Sequence, residues 1–248
     1  MEPETPSSHR ANPVGANKLH CAGDNYSTER LKYNSHQLRQ LLNRSVEQLK
    51  ESHAYKNECY ELLCELAANQ IDSPDIDEFN AAGSDRVNNF LRDINQISMP
   101  ADATDAASAM LDIYEKMQDF PGRAYRVMTT AAGVYGAKIG VGDIVMDKGF
   151  MSASALPVNC LDWKNSWVRK QTAVDSDMVI LIIESGTPKK NAGSAFLPDH
   201  ILVKPNTLLR VENMLDSQDD EGHEIKIISL SHGWRGTEVK NIFSGEVY

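Results

Sequence analysis

The spacing of hydrophobic residues changes at Pro121-Gly122, and this change constrains the fold more than any other feature of the chain. Before it, apolar side chains recur every three or four positions, which is the spacing of one helix face. After it, short apolar runs alternate with polar residues or stand between turn residues, as strands do. Helices followed by strands predict an α+β fold.

The first half of the chain is predicted to be helical after a disordered start. Residues 1–24 are rich in Pro, Ser, Asn, Gly and Ala without periodicity, which predicts a disordered leader. Residues 25–122 are expected to form a helical region. Its predicted helices are residues 27–69, a segment that starts at Ser84, and a segment from Asp102 or Thr104 to about Phe120, with a loop over residues 70–83.

The second half, residues 123–248, is predicted to be a β-rich core. Its clearest strand is Glu224–Leu230, where apolar and polar side chains alternate. The other predicted strands are Ala124–Thr129, Ile144–Ser154, Val179–Ile183, Ile201–Val203 and Leu208–Val211, and a short helix is predicted around Leu161–Lys170.

Composition excludes several classes of function. The net charge of −10 argues against nucleic-acid binding, which depends on clustered Lys and Arg. No apolar stretch reaches the roughly 18–20 residues of a membrane helix, and the N-terminus lacks the apolar core of a cleavable signal. The four cysteines show no metal-ligand spacing, so we expect no metal site and reduced thiols.

Three short segments combine residue types that carry chemistry. They are Tyr125-Arg126-Val127, the box Gly149–Ser154, and the segment Phe196–Thr207 with the apolar strand after it. Their order and spacing, over about Tyr125 to Leu230, resemble the arginine–serine–glutamate class of bacterial-type mono-ADP-ribosyltransferases. In that family a strand carries an aromatic-Arg pair, a second carries Phe-x-Ser-Thr-Ser, and a third segment carries Glu-x-Glu before an apolar triplet.

The resemblance implies a split β-sheet core that binds NAD as a substrate. By this resemblance Arg126 grips the diphosphate, for which a guanidinium fork is suited. Ser152 steadies the catalytic acid and the nicotinamide ribose, Phe150 helps to wall the nicotinamide pocket, and Ser154 fits the serine box. Ala153 stands where the family has threonine.

The third segment departs from the family at the position of the catalytic acid. Pro198 and His200 occupy the two glutamate positions, and Asp199 stands between them. In a regular strand Asp199 points to the opposite face, and a one-residue bulge would turn it into the site. His200 could accept a ribose hydrogen bond when neutral, but would repel the developing cation when protonated. Glu184 and Glu212, at strand ends, are weaker candidates for the missing carboxylate.

Three functions fit these residues. The first is a mono-ADP-ribosyltransferase that modifies a host protein. By the family resemblance it would be a monomeric effector, secreted without a cleavable signal and acting in the host cytoplasm, with residues 25–122 capping the NAD cleft. The second is an inactive protein of this fold that binds a host protein or NAD. The third is an NAD glycohydrolase, which the loss of the upstream glutamate at Pro198 favours over arginine modification.

Overall fold

The computed structural model describes Leu66 and residues 74–80, 84–92, 102–156, 175–194, 197–218, 224–234 and 238–248. Three α-helices lie in this part of the chain: α1 (Pro74–Glu78), α2 (Ser84–Leu91) and α3 (Asp102–Lys116), and Val134–Lys138 forms a π-helical turn. The predicted leader, the predicted helix around Leu161–Lys170 and Phe196 lie outside the described residues, as does the predicted helix 27–69 apart from Leu66.

Helices α2 and α3 confirm two predictions, whereas α1 replaces a predicted loop. Pro74 is the first residue of α1, where a helix needs no backbone N–H, so this proline starts the helix instead of breaking it. Ile76 in α1 is buried and packs in one cluster with Met110 and Tyr114 of α3. The acidic residues of the segment obscured this single apolar contact in the sequence.

Within the described ranges, nine strands form one mixed sheet in the order β5-β6-β3-β1-β4-β8-β7-β2-β9. Six antiparallel pairs build most of it, and β4–β8 and β2–β9 are parallel. The strands are β1 (Ala124–Ala131), β2 (Ile144–Met146), β3 (Met151–Ser154), β4 (Ser176–Ile183), β5 (Lys190–Asn191), β6 (His200–Val203), β7 (Leu209–Gln218), β8 (Glu224–His232) and β9 (Val239–Asn241).

The segment Ile144–Ser154, predicted as one strand, is two strands in distant parts of the sheet. β2 pairs with β7 and β9, whereas β3 pairs with β1 and β6. The chain turns between them because the Asp147 carboxylate accepts the N–H of Gly149 at 2.8 Å, closing a local turn. The turn brings the serine box of β3 beside β1.

Side chains alternate across β3 and β6 and divide the core in two. Met151, Ala153 and Val203 belong to the main sheet core with the apolar residues of β1 and β4. Leu202 belongs to a second cluster with Phe150 and the three helices. The helices therefore cover the sheet face that carries Ser152, Ser154 and His200, and this arrangement confirms the predicted α+β class.

Candidate functional site

A cavity of about 250 Å³ opens where β1 and β3 meet. Only Tyr125 and Ser154 pair in register between these strands, so their ladder is confined to one end of β1. The cavity gathers polar residues from each of the three sequence motifs at this junction. Its lining residues are Tyr125, Arg126, Val127, Ser152, Ala153, Ser154, Leu197, Asp199 and His200.

Arg126 reaches from β1 across this junction to β3. Its Nη1 donates a hydrogen bond of 2.6 Å to the carbonyl oxygen of Ser152. Its Nε is buried and has no hydrogen-bond partner in the described part of the chain, where no carboxylate forms an ion pair with Arg126 either. Burial lowers the pKa of Arg126, while Asp147 nearby acts in the opposite direction. Arg126 is therefore a cation in the cavity wall with unused donor capacity.

Asp199 contacts the serine box from a turn that precedes β6. The Ser154 hydroxyl donates a hydrogen bond to the Asp199 carboxylate. The turn is closed by the His200 N–H, which donates to the Leu197 carbonyl at 3.2 Å. The β3–β6 register is regular, so the bulge expected to be necessary is not needed. Asp199 lies before the strand, where strict alternation of side chains does not apply.

His200 lies opposite Ser154 in the register and its ring is almost fully buried, with 7% of the residue exposed. The ring stacks on Phe79 at 6.4 Å with an interplanar angle of 11°. Neither ring nitrogen has a hydrogen-bond partner among the described residues. Burial lowers the pKa of His200 to about 4, although Asp199 opposes the shift. The imidazole is therefore neutral near pH 7 and does not repel a cation.

Phe150 does not line the cavity, contrary to the expectation from the family box. It is fully buried among the helices, with its ring 5.7 Å from that of Phe79 and 5.9 Å from that of Tyr114. Phe150 comes directly before β3, and packing against α3 takes its ring away from the junction. Its role here is to join the helices to the sheet.

Of the remaining predicted site residues, Ser152 lies in the cavity and the two glutamates do not. Ser152 lines the cavity, and no described residue forms a hydrogen bond with its hydroxyl. Glu184 forms an ion pair with Arg123 at 2.6 Å, and Glu212 accepts a 2.5 Å hydrogen bond from Ser231. Neither glutamate lines the cavity.

Leu197 lines the cavity at its rim, where 44% of this apolar residue is exposed, but no role was predicted for it. The only indication in the sequence was its position next to Pro198.

Solved structures show which fold this is. The Vis toxin, an ADP-ribosyltransferase from Vibrio splendidus, matches with a TM-score of 0.60 and 18% identity over 90% of this chain and 100% of that one. Vis in complex with the M6 inhibitor matches with a TM-score of 0.64 and 17% identity, covering 87% and 99% of the two chains. The chain has the ADP-ribosyltransferase fold.

The likeness extends to a third Vis structure, in complex with agmatine, with a TM-score of 0.58 and 18% identity over 88% of this chain and 96% of that one. No protein-family model and no curated protein matches the sequence. The fold is thus retained at a low level of sequence identity. Across the described part of the chain, no helix has the length and apolarity required to cross a membrane.

Proposed function

We propose that this protein is a mono-ADP-ribosyltransferase that moves ADP-ribose from NAD to a protein side chain. The observation that carries the proposal is Arg126, whose guanidinium lies in the cavity wall without a carboxylate partner among the described residues. A partly buried guanidinium with an unpaired nitrogen is suited to the diphosphate of a dinucleotide, because its fork can bind two oxygens at once.

The other cavity residues suit the ribose end of NAD. Breaking the bond between the ribose C1′ and nicotinamide leaves the bonding electrons on nicotinamide and builds positive charge on the ribose. The Asp199 carboxylate, oriented by the Ser154 hydroxyl, would stabilise that charge. His200 is neutral, so it places no opposing positive charge beside the ribose. The acceptor then bonds to C1′ and loses a proton.

The size of the cavity suits part of the dinucleotide. At about 250 Å³ it is smaller than the roughly 300–1,000 Å³ of sites that enclose a whole ligand of drug size. We infer that it receives the nicotinamide and its ribose, with the diphosphate at Arg126. The adenosine would extend beyond the cavity. Phe150 takes no part in this arrangement.

A second candidate is an NAD glycohydrolase, in which water replaces the protein acceptor. Asp199 is the one carboxylate among the described residues that line the cavity, and Pro198 stands where the family has its upstream glutamate. The family uses that glutamate to activate an arginine acceptor. Its replacement favours water, or an acceptor other than arginine.

We further propose that the protein is a secreted bacterial effector that acts in a host cell. The support is its likeness in fold to the Vis toxin. The acceptor would be a host protein, selected by the helical region 25–122 and by the exposed Leu197 at the cavity rim.

The test follows label from NAD into protein. Purified protein is incubated with host-cell lysate and NAD labelled in the ADP-ribose part, and free nicotinamide is measured in parallel. Arg126→Ala should abolish both signals, whereas Arg210→Ala, which removes a half-exposed strand arginine outside the cavity, should leave both unchanged.

Each other outcome has a definite meaning. Nicotinamide release without labelled protein would replace the transferase by the glycohydrolase. Neither signal, at pH 6 to 8 in several lysates, would refute both catalytic functions. A protein of this fold that only binds NAD or a host protein would then remain.

A further inference from the structure

Two polar side chains one helical turn apart, Asn88 and Arg92, bind α2 to the turn between β2 and β3. Arg92, next to the end of α2, donates from Nε to Asp147 Oδ1 at 2.7 Å and from Nη2 to Asp147 Oδ2 at 2.6 Å. Asn88 Oδ1 accepts the N–H of Phe150 at 2.7 Å. The bidentate geometry of the ion pair fixes both its distance and its orientation.

The turn is shaped to admit these two side chains. A Cβ on Gly149 would lie 2.7 Å from Asn88 Oδ1 and 2.9 Å from Arg92 Nε, so a larger residue would push α2 away. The Arg92 guanidinium also lies 5.0 Å from the centre of the Phe243 ring. Arg92 is thus held by the turn and by an aromatic ring from the C-terminal segment.

The turn that Asp147 closes leads directly to Ser152, whose carbonyl oxygen accepts from Arg126, so the same carboxylate lies near Arg126. Asp147 acts to raise the pKa of Arg126, and Arg92 acts to lower it. Only 3% of the Asp147 side chain is exposed, so water screens these interactions weakly. Two arginines, Arg92 and Arg126, therefore lie near one buried carboxylate. Asp147 forms its ion pair with Arg92, and Arg126 donates instead to the carbonyl oxygen of Ser152.

We propose that Arg92 is a positioning residue that neutralises Asp147 and thereby keeps Arg126 available for the diphosphate of the substrate. The inference rests on the proposed role of Arg126 in binding NAD. Without Arg92, the Asp147 carboxylate would turn to Arg126 or, if it stayed in place, repel the incoming diphosphate. Either response weakens anion binding at Arg126, because a buried charge without its partner is strongly unfavourable.

This role predicts opposite effects for the two partners of one ion pair. Arg92→Met should weaken diphosphate binding by about tenfold or more, since an uncompensated carboxylate then lies near Arg126. Asp147→Asn removes the competing carboxylate and should leave the affinity unchanged or raise it. The double variant Arg92→Met/Asp147→Asn should bind more tightly than Arg92→Met alone. If the ion pair only holds α2 against the turn, all three variants should bind the diphosphate more weakly.

The experiment measures binding of inorganic pyrophosphate, and then of NAD, by titration calorimetry on the whole chain. Arg92→Lys retains the charge and should bind within about threefold of the unmodified protein, because neutralisation of Asp147 is retained. Arg86→Met is the matched control on the same helix. Arg86 pairs with Glu78 and Asp102 on the exposed side of α2, and its loss should leave pyrophosphate affinity unchanged.

The outcomes separate this inference from the proposed function. Weakening by Asp147→Asn as large as that by Arg92→Met, or a double variant no better than Arg92→Met, would overturn it. If Arg92→Met does not fold, Asp147→Asn and Arg92→Lys still decide the sign. Arg126-dependent pyrophosphate binding with these opposite effects, but without NAD cleavage, would support the inference while refuting the enzyme. A chain that binds neither anion would refute the inference as well.

Discussion

Burial of His200 makes a quantitative prediction about stability and pH. The unfolded chain takes up a proton on this imidazole near pH 6.5, whereas burial lowers the pKa of His200 to about 4 in the folded protein. Between these values the unfolded state binds more protons, so the stability of the folded protein decreases as the pH decreases. From pH 7 to pH 5 the His200 contribution falls by about 2 kcal/mol, at 1.36 kcal/mol for each pKa unit of differential protonation.

Urea unfolding at pH 7 and pH 5 measures this difference. The unmodified protein should lose about 2 kcal/mol more unfolding free energy over this interval than His200→Gln, which cannot be protonated. His232→Gln is the control, because this imidazole lies on the exposed surface, against Trp234. If His200→Gln and the unmodified protein lose the same stability between pH 7 and pH 5, the imidazole is not buried as described. The conclusion that His200 is neutral in the cavity near pH 7 would then be wrong.

Three further predictions concern catalysis and stability. Asp199→Asn should lower the rate of nicotinamide release by about 10²- to 10³-fold while the protein stays folded, and an unchanged rate would remove Asp199 from the mechanism. Gly193→Ala should cost about 1–3 kcal/mol in urea unfolding, because its Cβ would lie 2.5 Å from the Pro198 carbonyl oxygen. Burial lowers the pKa of Lys189 to about 8 from 10.5, so its contribution to stability should increase by about 2 kcal/mol from pH 7 to 9.5. Lys189→Met should lack this increase.

The helix and strand pattern could be predicted well because it depends on local spacing. Helix α3 and strands β4 and β8 follow directly from apolar periodicity and β-branched residues. Helix α1 was missed because one buried apolar residue, Ile76, is too little to show a period. The extent of β7 was underestimated, since it continues past a register shift between Val211 and Asn213 into polar residues.

The site could be predicted as a set of motifs but not as a geometry. Arg126, Ser152 and Ser154 come together because neighbouring strands bring them to one junction, as their order along the chain suggested. The position of Asp199 depends on a turn closed by backbone atoms, which leaves no signature in side-chain alternation. The burial of His200 depends on the ring of Phe79, which directly follows α1, a helix that the sequence did not reveal.

The partner of Asp147 shows a further limit of sequence reasoning. Asp147 was predicted to lie inside the strand Ile144–Ser154, whereas the structure has a turn there. Nothing in the spacing indicates that Arg92, 55 positions earlier in the chain, binds that aspartate through two hydrogen bonds. Contacts of this kind arise from the packing of helix against sheet, which periodicity alone does not specify.

Equilibrium binding of NAD to the unmodified protein and to Arg126→Ala addresses the central claim most directly. We predict saturable binding that Arg126→Ala weakens by about 10- to 100-fold, the effect of removing charge-assisted hydrogen bonds to a diphosphate. Arg210→Ala should bind NAD as the unmodified protein does. Equal NAD affinities for Arg126→Ala and the unmodified protein, or no binding by either, would contradict the assignment of this cavity as an NAD site.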